Sequence, residues 1–326
     1  MSQERLRIAV VGAGAFGKNH LRVVRESGQA ELAGVFDIDP ARRAAAAAEF
    51  GCPELPSLAA IASAAQAAIV AVPTTAHAAV ACELLEAGLD VLVEKPMAAS
   101  VDEGRRMAGT ARAHGRILQV GHLERFNPAV TAAESLLTVP LFFEVHRLSV
   151  FSPRSLDVDV VADLMIHDLE IVLAMTGQRP SEVNAAGIQV LSSKVDIANV
   201  RLAFPNGCIA NLTASRVSTE RVRKLRFFQP QQYISVDYAK QELFAVAVEN
   251  GQVRFLPRTF ERREPLKVQF DAFAASVLTR EKPKVSGMEG LRSLEVSSAI
   301  LDKIKEHSAV VAQTLASFGR GGSATE

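Results

Sequence analysis

The chain has 326 residues and a mass of 34.9 kDa, enough for two domains with separate cores, and 48% apolar content excludes a disordered protein. Lys plus Arg and Asp plus Glu both number 36, so no net field draws in nucleic acid or an anionic membrane surface, and charged ligands must be met locally. Cys52, Cys82 and Cys208 lack CxxC or Cys/His ligand spacing, which suits free thiols in a reducing cytoplasm and suggests neither a metal site nor disulfides.

The start, "MSQERLRIAVVGAGAFG", places acidic Glu4 before a short apolar run and so does not read as a signal peptide. No stretch approaches the ~20 apolar residues of a membrane span. A soluble, cytoplasmic protein is expected.

From Arg7 to about Gly121, "RIAVV", "ELAGVFD", "AAIVAVP", "DVLVEKP" and "RILQVG" read as strands separated by alanine-rich helices. Continuous apolar strands spaced by helices predict a parallel sheet covered on both faces. Ser100 with Glu103 forms a capping box for the helix that stops at Gly115. The first domain is therefore expected over 1–122 as a doubly wound, Rossmann-type sheet.

Its opening turn carries the first chemistry. Gly12, Gly14 and Gly17 stand in G-x-G-x-x-G spacing directly after a strand and at the start of a helix. Gly12 allows the tight turn, Gly14 lets a pyrophosphate approach the backbone, and Gly17 lets helix and strand pack closely. Ala15 and Phe16 complete the loop. Asp37 ends the second strand 20 residues after Gly17, where a carboxylate accepts ribose hydroxyls and repels a 2′-phosphate. NAD is thus favoured over NADP, with Arg42 and Arg43 close enough to leave NADP open.

After about Leu137 the texture changes to longer alternating runs, "LFFEVHRLSV", "ANVRLAF", "CIANLTAS", "LRFFQ", "YISVDY" and "LFAVAVE". Asn206-Gly207 and Asn250-Gly251 are hairpin signals, because both residue types tolerate positive φ. These runs predict an α+β domain over 123–310 with a mostly antiparallel sheet. Late helices are expected near Phe270–Leu278 and Glu289–Glu306, followed by a flexible tail over 311–326.

The loop at Gly12, "AVPTTAH", "VEKP", "GHLERFNPA" and "DLMIHDLE" together resemble the glucose-fructose oxidoreductase / inositol dehydrogenase (Gfo/Idh/MocA) family, nearly end to end. The resemblance implies an NAD(P)-dependent sugar or cyclitol dehydrogenase. It also implies an open sheet in the second domain that mediates assembly as a homodimer or homotetramer. It implies Lys95, Asp163 and His167 as the catalytic group. Within the family, the stretch from "GHLERFNPA" to "DLMIHDLEIVL" is most similar to UDP-N-acetylglucosamine 3-dehydrogenases, which make a 3-keto nucleotide sugar for lipid A. Dehydrogenases of UDP-N-acetylglucosaminuronate, a free sugar or inositol, and a non-catalytic NAD-binding regulator, are the alternatives.

On that reading Lys95, at the C-terminal end of a parallel strand, holds a substrate hydroxyl; an ion pair with Glu94 is the structural alternative. Val72, Pro73 and Thr74 are expected to line the nicotinamide half of the cofactor site, with Glu94 and Lys95 beside them. His77 serves either as a helix cap or as a cofactor contact. His122, Arg125, Phe126 and Asn127 are expected to face the substrate, Phe126 being equally suited to the core. Arg147 and Arg154 are the arginine forks expected to meet a UDP pyrophosphate. The basic run from Arg221, "RVRKLRFF", reads as a half-exposed or subunit-interface strand rather than a nucleic-acid site.

In "DLMIHDLE", α-helical spacing places Asp163, His167, Glu170 and Ala174 on one face. Asp163 then orients a His167 base, whereas Asp168 points the other way, among Val161, Leu164 and Val172. From Ser155 to Gln178 there are five acids and no Lys or Arg. A cation from elsewhere in the chain is therefore expected, with Lys95 the candidate.

Overall fold

Residues 5–151 and 158–321 are described by the computed structural model. The β-branched runs of the first half form five strands, β1 (Leu6–Val11), β2 (Ala30–Phe36), β3 (Ala67–Val70), β4 (Asp90–Glu94) and β5 (Leu118–Gly121). All pair in parallel in the order β2-β1-β3-β4-β5. Such strands cannot be joined by hairpins, so helices return the chain: α1 (Ala15–Glu26), α2 (Pro40–Phe50), α3 (Leu58–Ala64), α4 (Thr74–Glu86) and α5 (Val101–Ala113). Ser100 caps α5 by accepting from the Glu103 N–H, and the Glu103 carboxylate accepts in turn from the Ala99 N–H.

The second half forms an eight-stranded sheet, in which β6 (Phe142–Val150) and β9 (Ile209–Ser218) are the one parallel pair. The other strands are β7 (Glu182–Ile188), β8 (Ile197–Ala203), β10 (Val222–Gln229), β11 (Gln232–Asp237), β12 (Glu242–Glu249) and β13 (Gln252–Phe255). Their order is β13-β12-β11-β10-β6-β9-β8-β7. Both expected hairpins form: Gly207 has φ +84°, and Asn250 and Gly251 have φ +53° and +75°. One face of the sheet is covered by α6 (Pro128–Glu134), α7 (Ile166–Thr176) and the later part of α9 (Gly287–Gly321), which bury Val130, Leu169, Leu173 and Ile300 in one core with Phe143 and Phe227.

The chain divides into two compact units, and the division differs from the expected 1–122 and 123–310. The first boundary falls between Asn127 and Pro128, and Arg262–Leu294 belongs to the first unit. The physical reason is α8 (Pro265–Thr279), whose Leu266, Phe270, Phe273 and Val277 join the core formed by Ile8, Val10 and Leu21. The second unit holds Pro128–Glu261 and the chain from Glu295. The expected tail is helical as far as Gly321, and from Lys305 to Thr314 α9 is mostly exposed, so burial adds little to that stretch.

Candidate active site

The first unit contains a cavity of about 540 Å³ at the C-terminal ends of β1 and β3. Its glycine turn is dictated by sterics. A Cβ on Gly12 (φ +100°) would lie 2.4 Å from the Ala71 carbonyl oxygen, and one on Gly17 would lie 1.8 Å from that of Gly12. A Cβ on Gly14, which lines the cavity, would meet nothing within 4 Å and would project into open space. Asp37 accepts from the Ala13 N–H at 2.7 Å and the Asp39 N–H at 2.9 Å, which ties the loop to the end of β2. Each carboxylate oxygen keeps lone-pair capacity for a ligand hydroxyl.

An open glycine, a carboxylate at the rim and apolar walls from Phe16, Val72 and Pro73 fit an adenosine dinucleotide. Ala15, Ile38 and Arg42 also line the cavity, as does Thr75 in place of the expected Thr74, which opens α4. Arg42 pairs with Asp39 at 3.3 Å on the same wall, while Arg43 turns to Glu54.

At the end of β4, the Lys95–Pro96 peptide bond is cis. The Glu94 carboxylate faces His20, with Nε2 at 2.7 Å, and also accepts the Lys95 backbone N–H at 3.3 Å. His77 is neither a cap nor a cavity-lining residue: its ring nitrogens lie 2.9 Å from the carbonyl oxygens of Val72 and Pro96, tying two turns together. Burial pushes its imidazole below the usual value, and the two carbonyls oppose that shift.

His122 is buried, and its pKa falls to about 3 because of that burial, reinforced by the charges of Lys95 and Arg125. Lys95, His122 and Arg125 therefore share an electropositive corner where β4 and β5 end. Phe126 takes the core alternative, 2% exposed, with the Lys284 ammonium 5.9 Å from its ring centre. Asn127 is buried and donates to Glu124 at 3.3 Å.

In the second unit, the segment carrying Asp163 is a π-helical turn, Val161–Met165, before α7 begins at Ile166. This changes the expected face, since i→i+5 bonding widens the turn and spacing of four no longer superimposes side chains. Asp163, His167 and Ala174 are half-buried and Glu170 is buried, so it is the phase of Asp163 against His167 that the turn alters.

Asp168 finds its partner in Arg147, which donates to it through Nε at 2.6 Å and a terminal nitrogen at 3.0 Å. Arg147 also lies over the Tyr238 ring at 5.2 Å. The expectation that Arg147 meets a pyrophosphate is thereby corrected: its fork is buried and its charge is matched by a carboxylate. The same pair gives Asp168, which points away from the His167 face, a cation of its own from β6. Arg154 lies outside the described residues.

The approach to the π turn is braced from the segment just before β8 and from β9. Asp159 accepts the Val195 N–H at 3.0 Å, Val160 N–H donates to the Val195 carbonyl at 3.0 Å, and Arg216 donates to the Val158 carbonyl. Asp196, fully buried, collects the N–H groups of Val190, Leu191 and Ser192 and the Ser192 hydroxyl. Those bonds outweigh the opposing effect of burial and lower its pKa to about 2.

His20 was absent from the expected site. It follows Gly17 by three positions on the buried face of α1, with Leu21, Val23 and Val24, and a polar residue on that stripe was the available signal.

The profile of an oxidoreductase family with an NAD-binding Rossmann fold matches residues 6–122, and that of the GFO/IDH/MocA C-terminal domain matches residues 143–234. The chain is 34% identical over 296 residues to UDP-N-acetylglucosamine 3-dehydrogenase of Acidithiobacillus ferrooxidans, covering 89% of this chain and 94% of that protein. It is 24% identical over 325 residues to inositol 2-dehydrogenase of Rhizobium meliloti, covering 92% and 97%. A solved structure of the Acidithiobacillus enzyme superposes with a TM-score of 0.88 at 32% identity, covering 94% of this chain and 99% of that one.

Proposed function

The chain belongs to the GFO/IDH/MocA oxidoreductase family, and from that premise we propose that it is an NAD-dependent dehydrogenase of a nucleotide sugar. The substrate on this reading is UDP-N-acetylglucosamine, oxidised at C3 to the 3-keto sugar that lipid A or aminosugar assembly consumes. The observation that carries the reading is the 34% identity, over 94% of its length, to the Acidithiobacillus enzyme of that name. NAD is assigned because the Asp37 carboxylate at the cavity rim repels a 2′-phosphate; Arg42 on the same wall makes NADP the second choice.

Gly12, Gly14, Phe16, Asp37 and Pro73 hold the dinucleotide, which supplies the hydride acceptor when bound. Lys95 donates an ammonium hydrogen bond to the C3 hydroxyl oxygen and stabilises the alkoxide that develops there. His167 takes the hydroxyl proton on its imidazole, and Asp163 orients that ring. His122, held neutral by burial beside Lys95, and Arg125 contribute polar contacts to the sugar.

Cytoplasmic location is part of the proposal; among the described residues no helix is long and apolar enough to cross a membrane. So is self-association through the sheet. Phe142, Phe228, Tyr233, Phe244 and Phe255 form a row across β6 and β10 to β13, with ring centres 5.1–6.2 Å apart. Phe244 and Phe255 are 49% and 70% exposed, an apolar stripe that a second copy would cover.

The test is NADH formation from purified protein, NAD and UDP-N-acetylglucosamine, with a transaminase present to remove the ketone. Turnover is expected, with UDP as a competitive inhibitor. Activity on inositol or free hexoses instead of the UDP-sugar would assign the inositol or free-sugar alternative, and activity on the uronate would move the substrate to UDP-N-acetylglucosaminuronate. Function unaffected by both Lys95→Ala and His167→Ala would identify a non-catalytic NAD-binding protein.

A further inference from the structure

The buried pair beneath Lys95 has no part in the mechanism above. His20 is fully buried and Glu94 is 8% exposed. A carboxylate can only accept, so the 2.7 Å contact is His20 Nε2–H donating to Glu94 Oε1. The other oxygen accepts from the Lys95 backbone N–H at 3.3 Å. Gly121 gives the carboxylate its place: a Cβ there would lie 2.9 Å from both oxygens. On its other side, the His20 ring meets the edge of Phe16 at 5.8 Å between ring centres, and Phe16 lines the dinucleotide cavity.

A chain of contacts therefore runs from the cavity wall through Phe16, His20 and Glu94 to the backbone of Lys95. We propose that His20 is a positioning residue that acts through Glu94 to fix the Lys95 turn, and so the place at which the ammonium is presented. The catalytic part of this rests on the reading of Lys95 as the residue that holds the substrate hydroxyl. A donor is needed because a nearly buried carboxylate left with one long backbone bond would turn toward water and release the turn. The geometry makes Nε2 the working nitrogen, since Nδ1 is buried without a hydrogen-bond partner.

The choice of nitrogen gives a test that a general packing role would not pass. In His20→Gln the amide nitrogen stands near the place of Nε2, whereas in His20→Asn it stands near that of Nδ1. Backbone hydrogen exchange at Lys95, read by mass spectrometry on the full chain, is expected to quicken about tenfold in His20→Ala and His20→Asn and to stay near wild type in His20→Gln. In turnover, His20→Ala is expected to lower kcat about tenfold with little change in KM for NAD, and to add nothing once Lys95 is alanine.

Equal exchange in the Gln and Asn variants, or unchanged exchange at Lys95 in His20→Ala, would overturn the proposal. So would an undiminished loss of kcat from His20→Ala in the Lys95→Ala background. If His20→Ala does not fold, the Gln and Asn variants carry the same contrast. If the wild type turns over no sugar, the catalytic reading falls, and the exchange data still decide whether His20 holds the Lys95 turn.

Discussion

The glycine turn of the first unit and the "DLMIHDLE" segment of the second both carry recognisable motifs, and they differ in what converts motif into position. At the turn, the determinants are mostly local: a Cβ on Gly17 would strike the Gly12 carbonyl oxygen and Gly12 needs its own positive φ of +100°, with the Ala71 carbonyl at the end of β3 adding one distant contact. In the helix the determinants are distant. Asp168 is placed by Arg147 from β6, and the approach to Asp163 is pinned by Val195, just before β8, and by Arg216 of β9. A motif whose geometry closes within a few residues can be read by spacing, and one whose partners arrive from other strands cannot.

The sharpest way to break this comparison is Gly17→Ala. With its new Cβ 1.8 Å from the Gly12 carbonyl oxygen, the α1–β1 packing cannot close. Loss of cooperative thermal unfolding, or expression only as insoluble protein, is expected. On the other side of the comparison, Arg147→Met should destabilise by roughly 3–5 kcal/mol in urea unfolding, because it leaves the Asp168 carboxylate buried without its cation. Adding Asp168→Leu should recover most of that loss, which would mark the pair as structural.

Acid should act on the two units with the same sign but in different windows, through His122 in the first and Asp196 in the second. The folded-state pKa of His122, about 3, lies below its unfolded value, so the unfolded chain binds more protons. Its contribution is complete above about pH 6.5 and is lost as the pH falls toward 3, a drop of roughly 4 kcal/mol. His122→Gln should flatten that part of the stability curve. Asp196, held at about 2, contributes above its unfolded value and loses that contribution only as the pH falls from about 4 to 2. Unfolding free energies across a pH series separate the two windows.

The smallest effect is confined to binding. Gly14→Ala adds a methyl group in open cavity space, so thermal stability should stay within a few degrees of wild type. Dinucleotide affinity, measured by NADH fluorescence titration, should fall about tenfold as the backbone approach is blocked.

The same contrast explains what was legible in the sequence. The five parallel strands, both Asn-Gly hairpins and the Asp37 contact to the glycine loop follow from period, turn chemistry and one fixed spacing. The edge strands β7 and β13 were not legible, because "EVNAAGI" is rich in small residues and "QVRF" is short and exposed. The π turn is not legible because α-helical and π-helical turns draw on the same apolar spacing, and it shifts Asp163 relative to the face that His167 and Glu170 keep within α7. Arg147 was misread because an arginine fork suits a buried carboxylate as well as a pyrophosphate, and only the fold reveals which one it meets. Return of α8 to the first unit is a long-range packing event that no local signal marks.

The central claim, hydride removal from C3 of the UDP-linked sugar, is tested most directly by isotope transfer. UDP-N-acetylglucosamine carrying deuterium at C3 is incubated with protein and NAD, and the reduced nicotinamide is analysed by mass spectrometry. The account predicts one deuterium in the recovered NADH, formed much more slowly but still labelled after Lys95→Ala. Unlabelled NADH formed with normal turnover would place the oxidation at another carbon and contradict it.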